Sequence, residues 1–236
     1  MSHWWQQRLC AFDVESTGTD TSRDRIVTAT VLLVGGGKPH MAHSWLIDPG
    51  IPIPAEASAI HGITTEKAQA EGEPAWQAVH SIYTALSLCI CEQWPIVAFN
   101  ASYDLSILQA EAHRYRLATP YLDVARVVDP LIIDRGLDKY RKGSRKLEAV
   151  CGHYGVTLDN AHDATADALA AARLAYKLAV KFGPQLDDLD ALQAQQRTWH
   201  REWAIGFAAY LRAQGQTRDL PDPDGWPIRI REEQVA

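Results

Sequence analysis

The chain has 236 residues, 47% hydrophobic and 22% charged, with a formal net charge of -6. That length accommodates one large α/β domain, or a domain with an extension, around a sizeable core. The acidic balance argues against a general nucleic-acid coat protein but not against an enzyme that meets nucleic acid at one local site. Apolar runs stop well short of membrane-spanning length, and no signal-peptide pattern opens the sequence. The cysteines (Cys10, Cys89, Cys91, Cys151) lack zinc spacing and are expected to be the reduced thiols of a cytoplasmic protein without membrane contact.

Arg8 to Val14, Arg25 to Val34 and His40 to Ile47 read as strands, the last two joined by the tight turn VGGGKPH. The GGGK of that turn lacks the frame of a phosphate loop. A long Pro-punctuated connection follows, DPGIPIPAEASAIHGITTEKA, of a kind that is often functional. Pro74 to Cys91 reads as a helix, Ile96 to Phe99 as a short strand, Ser102 to Leu117 as a helix and Tyr121 to Val128 as another strand. A basic loop leads to helices over Leu147 to Tyr154, Ala164 to Phe182 and Leu186 to Leu211. The last carries Leu189, Leu192, Trp199, Trp203, Phe207 and Tyr210 at helical spacing, a stripe suited to core packing or to a homodimer surface. The tail DLPDPDGWPIRIREEQVA is expected to be partly loose. Three strands, then strands alternating with helices, point to one mixed sheet with helices on its faces.

Four acids break the pattern of their elements. In LCAFDVESTGTD, Asp13 and Glu15 share one face of an apolar strand, with no Lys or Arg beside them. Two such carboxylates repel each other and lose solvation unless something cationic sits between them. In VAFNASYDLSIL, Asp104 lies on the apolar stripe with Ile107 and Leu108. In AHDATADALAAARLAYKL, Asp167 is in line with Ala171, Leu174 and Leu178. Singly, each reads as a capping or part-exposed acid. Together they are hard oxygen ligands that select Mg²⁺ or Mn²⁺, and two such ions clamp the attacking and leaving oxygens of a phosphodiester. His162 precedes Asp167 by about 500° of helical rotation. It is therefore expected in the loop before the helix, folded back to take a proton from the attacking water.

DVESTG, then NASYDLSIL, then HDATAD resemble the three motifs of the DEDD exonucleases, the DnaQ-like family of the ribonuclease H-like superfamily. That family includes the epsilon proofreading subunit of bacterial DNA polymerase III. The His-x4-Asp form of the third motif marks the histidine subclass (DEDDh). The resemblance covers about Arg8 to Phe182, and AEASAIHGIT, VVDPLIIDR and KLEAVCGHYGV also resemble family segments. It implies a ribonuclease H-like fold, a central mixed five-stranded sheet flanked by helices. Residues 1–183 would form the exonuclease domain and 184–236 a C-terminal helix and Pro-rich tail.

The resemblance further implies two Mg²⁺ ions, with Mn²⁺ able to substitute. Asp13, Glu15 and Asp167 would hold the ion that activates water, Asp13 and Asp104 the ion at the leaving 3′ oxygen, and His162 would be the general base. Ser16, Thr17, Gly18, Glu56, His61, Asn100 and Tyr103 would line the substrate pocket with His162; Thr17 and Gly18 would face the terminal sugar and base. The expected activity is 3′–5′ removal of 5′ mononucleotides from DNA ends, preferably single-stranded, in proofreading or repair. The alternatives are RNA trimming and a non-catalytic nucleic-acid-binding subunit of a polymerase. A DNA polymerase is a candidate partner, but the tail shows no clear clamp-binding peptide, so stable membership in a replicative polymerase is not expected. Lys139, Arg141 and Lys142, in the dense basic run DRGLDKYRKGSRK, are candidate phosphate contacts, against the plainer reading of a solvated loop.

Overall fold

The computed structural model describes residues 3–118, 125–158, 162–217 and 220–229. Three long strands, β1 (Arg8–Ser16), β2 (Ile26–Gly35) and β3 (Met41–Asp48), form an antiparallel meander. Two short helices, α1 (Ala55–His61) and α2 (Thr65–Glu71), occupy the Pro-punctuated connection and lead into β4 (Glu73–Pro74) and α3 (Ala75–Cys91). Then come β5 (Ile96–Val97), α4 (Ala101–Arg114), β6 (Val127–Val128), α5 (Pro130–Leu137), α6 (Leu147–Tyr154), α7 (Ala164–Phe182) and α8 (Leu189–Ala213).

The sheet runs β4-β3-β2-β1-β5-β6, with β4, β5 and β6 parallel to their neighbours β3, β1 and β5. It is the expected mixed α/β architecture with a sixth strand added. Two residues are too few to carry a side-chain alternation, so β4 leaves no periodic signal. The strand expected over 121–128 is paired at Val127–Val128, and its residues 121–124 lie outside the described ones. Helix α5 is an addition to the expected elements, although Asp129 caps it and Pro130 opens it, a recognised start signal.

Strand β1 is central because both of its faces are apolar. Cys10, Phe12 and Val14 pack with α3 and α4. Leu9 and Ala11 pack with α7, whose buried alanines (Ala168, Ala171, Ala172, Ala175) let the helix lie close to the sheet. The free edge of β6 is covered by side chains of α8. Val127 N donates to Gln193 Oε1 at 3.0 Å, Asp129 N to Gln196 Oε1 at 2.7 Å, and Gln196 Nε2 to Val127 O at 2.8 Å. The α8 stripe is thus divided. Leu192 is core and Trp199 packs against both large clusters, so closely to Gly136 that a Cβ there would lie 2.2 Å from the ring. Phe207 and Tyr210 stay exposed.

Of the tail expected to be partly loose, residues 220–229 are packed, and 230–236 lie outside the described residues. Trp226 is 2% exposed and belongs to the main core cluster. Arg197 Nη1 donates to Trp226 O at 3.0 Å, His200 Nε2 to Asp222 O at 2.9 Å, and Arg229 N to Ser106 Oγ at 2.8 Å. One large apolar side chain inside a Pro-rich, polar segment outweighs the segment's average composition. No described helix is long and apolar enough to cross a membrane.

Candidate active site

The site forms at the carboxyl end of β1, where the direction of the sheet changes from antiparallel to parallel neighbours, a place where open α/β sheets leave a crevice. Asp13 and Glu15 stand opposite Thr30 and Thr28 of β2, on the sheet face that α7 covers. A register shift between Glu15 and Ser16 ends the regular pairing there. On the other side of β1, β5 pairs only with Cys10 and Ala11. Beyond that point Val14 N donates to Asp104 Oδ1 at 3.2 Å, which registers α4 to the strand.

Asp104 sits in the first turn of α4, and that turn is itself anchored. Asn100 adopts the left-handed conformation (φ 68°), which an Asn tolerates better than most residues, and its N–H and that of Ala101 each donate to the buried Asp129 carboxylate at 3.0 Å. Asp167 is brought in by α7. Asp163 caps that helix, accepting from Thr165 N and Ala166 N at 3.0 Å, and Thr165 Oγ1 lies 3.2 Å from the hydroxyls of Thr30 and Ser44. His162 lies in the turn before the helix with φ 70°, its N–H donating to Asp167 Oδ2 at 3.3 Å. Glu15, His162 and Asp167 each offer a ligand atom, all within 4.8 Å of one another.

The electrostatics are those of a site short of positive charge. Burial raises the Asp13 carboxyl well above the usual range, and Asp104, Asp167 and Glu15 push it further. Glu15 is pushed up to about 7 by burial and by Asp167 and Asp163. Burial likewise raises Asp104 and Asp167, each partly offset by the backbone N–H it accepts. Asp167 Oδ1 is buried with no hydrogen-bond partner. An unsatisfied carboxylate oxygen among mutually repelling acids fits a hard divalent cation; the donors available are oxygen, with one imidazole. Among the described residues, Glu15, Asp167 and His162 form the group whose ligand atoms lie close enough to share one ion; Asp13 and Asp104 stand outside that group.

Around the acids, Tyr103 Oη contacts Ser16 Oγ and donates to Gly18 O at 2.5 Å, while Ser16 Oγ donates to the same carbonyl at 2.7 Å. A Cβ on Gly18 would lie 2.6 Å from the Asp24 carboxylate, so this turn admits only glycine without rearrangement. Thr17 is buried, and its hydroxyl donates to Asp24 Oδ1 and accepts from Arg25 N, each at 3.0 Å. Its side chain therefore holds the loop together. His61 and His162 line one cavity of about 340 Å³, with Thr30, Ser44, Lys67 and Asp163 among its walls. Burial and the nearby His162 hold His61 towards its neutral form, partly offset by a hydrogen bond to the Ser16 backbone. Asn100 is exposed beside the α4 terminus. Glu56 is exposed in the first turn of α1, and no described contact joins it to the acids.

The basic loop divides. Arg141, expected at a phosphate, instead donates through Nε and Nη2 to the buried Asp134 carboxylate at 3.1 and 3.0 Å, joined there by Arg145. A guanidinium held in a bidentate pair is committed to the fold of the loop. Lys139 lies 3.8 Å from Glu202, and Lys142 is exposed. Sequence reasoning passes over Asp129, whose position before Pro130 and an apolar run is a cap signal.

The RNase_T family model, described as an exonuclease, matches residues 10–175. A DNA polymerase III PolC-type from Lacticaseibacillus paracasei is 29% identical over 168 residues, 71% of this chain. One from Listeria welshimeri is 29% identical over 185 residues, 77% of this chain. The chain spans only 11% and 12% of the length of these relatives. Escherichia coli exonuclease I, solved with a dT13 oligonucleotide, superposes with a TM-score of 0.63 at 22% identity, covering 77% of this chain and 42% of that one. Exonuclease I from Methylocaldum szegediense gives 0.61 at 19% identity, covering 84% and 46%. These likenesses establish the fold.

Proposed function

The chain belongs to the RNase_T exonuclease family, and from that premise we propose that it is a 3′–5′ exonuclease that releases 5′ mononucleotides from single-stranded or frayed DNA ends, in proofreading or repair. The observation that supports this reading is the grouping of Glu15 from β1 with Asp167 and His162 from the start of α7, their ligand atoms within 4.8 Å of one another, beside Asp104 of α4, which accepts from Val14 N next to Asp13 on β1. DNA is favoured over RNA because the relatives are named as DNA polymerases and a structural neighbour, Escherichia coli exonuclease I, was solved with a DNA oligonucleotide.

Asp13, Glu15 and Asp167 would hold one Mg²⁺, and Asp13 and Asp104 would hold a second, with Mn²⁺ able to substitute. When bound, the ions supply Lewis acidity and charge neutralisation at the scissile phosphodiester. His162 is exposed and free to take the proton of the attacking water, while its backbone bond to Asp167 keeps it at the site. Tyr103, held by Ser16 and the Gly18 carbonyl, forms a rigid wall for the terminal nucleotide. His61, held towards its neutral form, lines a cavity together with His162.

The test is degradation of matched DNA and RNA oligonucleotides labelled at the 5′ end, with Mg²⁺, beside Asp13→Ala. Stepwise shortening of DNA from the 3′ end, absent in the variant, is expected. Faster loss of RNA would transfer the reading to an exoribonuclease; no shortening of either would overturn it.

A further inference from the structure

We infer that Trp226 is a positioning residue for the acidic site, acting through Asp129 on the N-terminal turn of α4 that carries Asp104. This rests on the metal-holding role proposed above for Asp104. Trp226 Nε1 donates to Asp129 Oδ2 at 3.2 Å. The same oxygen accepts Ala101 N at 3.0 Å, and Asp129 Oδ1 accepts Asn100 N and Leu131 N, each at 3.0 Å. Two helix starts, those of α4 and α5, are thus tied to one fully buried carboxylate, and the indole supplies its only described side-chain donor. A buried carboxylate is stable as an anion only while its lone pairs are satisfied, so each donor matters to the others.

The strap that carries Trp226 grips α4 a second time. Arg229 N donates to Ser106 Oγ, two residues beyond Asp104 and on the same helix. The strap is in turn held to α8 by Arg197 on the Trp226 carbonyl and by His200 on the Asp222 carbonyl. Asp104 has one bond of its own to β1, from Val14 N, and its placement otherwise follows the helix. The C-terminal segment therefore braces the helix that sets the second acid's distance from Asp13. A site that binds two ions between carboxylates from different elements is sensitive to that distance.

The direct test is Mn²⁺ binding to the full chain by calorimetry, compared between wild type and Trp226→Phe, which keeps an aromatic ring but removes the N–H. Groups that orient metal ligands commonly cost about 10–100-fold in affinity when lost. For a partner one step further out, a roughly three- to tenfold weaker Mn²⁺ affinity is expected, with a similar fall in kcat and little change in KM for single-stranded DNA. Ser106→Ala, which removes the acceptor of Arg229 N without opening the core, decides the matter if Trp226→Phe does not fold; it should weaken Mn²⁺ in the same direction. Unchanged Mn²⁺ affinity in the folded variants would overturn the inference, as would a wild type that binds no Mn²⁺. A wild type that binds Mn²⁺ and loses affinity in the variants, but cleaves nothing, would leave the inference standing and sink the proposed activity.

Discussion

The main-chain amide of Val14 and the side chain of Asp104 are hydrogen-bonded at 3.2 Å although 90 residues separate them in sequence. The bond forms where β5 has stopped pairing with β1, so the strand's spare donor registers the second acid against the first. Asp104→Asn keeps an acceptor for that amide and removes one of the charges that crowd Asp13. Its metal-free melting temperature should equal or exceed that of the wild type. Its stabilisation by millimolar Mn²⁺ should fall by more than half. Paired thermal melts in EDTA and Mn²⁺ measure both; an intact Mn²⁺ response would remove Asp104 from the metal site.

The metal-free protein should lose stability as the solution becomes more alkaline. Asp13, Glu15, Asp104 and Asp167 all titrate above their ordinary values when folded, Glu15 at about 7. In that range the native state binds more protons than the unfolded chain, so stability falls with rising pH. The contribution is fully present below the unfolded carboxylate range and is lost as pH passes through about 7 and above. In EDTA the melting temperature should therefore drop from pH 5.5 to pH 8. Saturating Mg²⁺ should flatten or reverse the trend, because cation binding to the ionised native state stabilises it by mass action. A pH-independent melting temperature in EDTA would contradict the repulsion described here.

His162→Ala should separate binding from chemistry. The carboxylates remain, so DNA and Mn²⁺ should still bind. Loss of a general base commonly costs about 10²–10⁴ in rate. Single-turnover cleavage at saturating enzyme checks this; near-normal turnover at neutral pH would take His162 out of the mechanism.

Arg141 and Lys142 should behave differently despite being adjacent. Arg141→Ala breaks two bonds to a buried carboxylate, leaves Arg145 as its remaining cation, and should destabilise the fold by about 2–3 kcal/mol. Lys142 is exposed, and Lys142→Ala should leave stability unchanged. If Lys142 meets a phosphate, that variant should lower the log–log salt slope for single-stranded DNA by roughly 0.7. Urea melts and salt-dependent binding distinguish the two; an unaltered slope would return Lys142 to the status of a solvated side chain.

The acids of the site are legible in the sequence alone. Period-two alternation places Asp13 and Glu15 on one face, and helical stripes turn Asp104 and Asp167 inward, because local geometry decides which side of an element a residue occupies. The rotation between His162 and Asp167 likewise requires the histidine to leave the helix, and it lies in the turn before it. Which neighbour a side chain meets is another matter. The pairing of Arg141 with Asp134 makes an expected ligand contact into a loop anchor. The Trp226–Asp129 bond spans 97 residues, and the two-residue strand β4 exists only because Ile47 and Asp48 offer it an edge. Such contacts depend on the tertiary path that brings distant segments together. The sequence by itself determined which residues face inward and what chemistry they carry; the tertiary structure decided which of them touch, because a hydrogen bond or ion pair requires a partner within about 3 Å, wherever in the chain that partner lies.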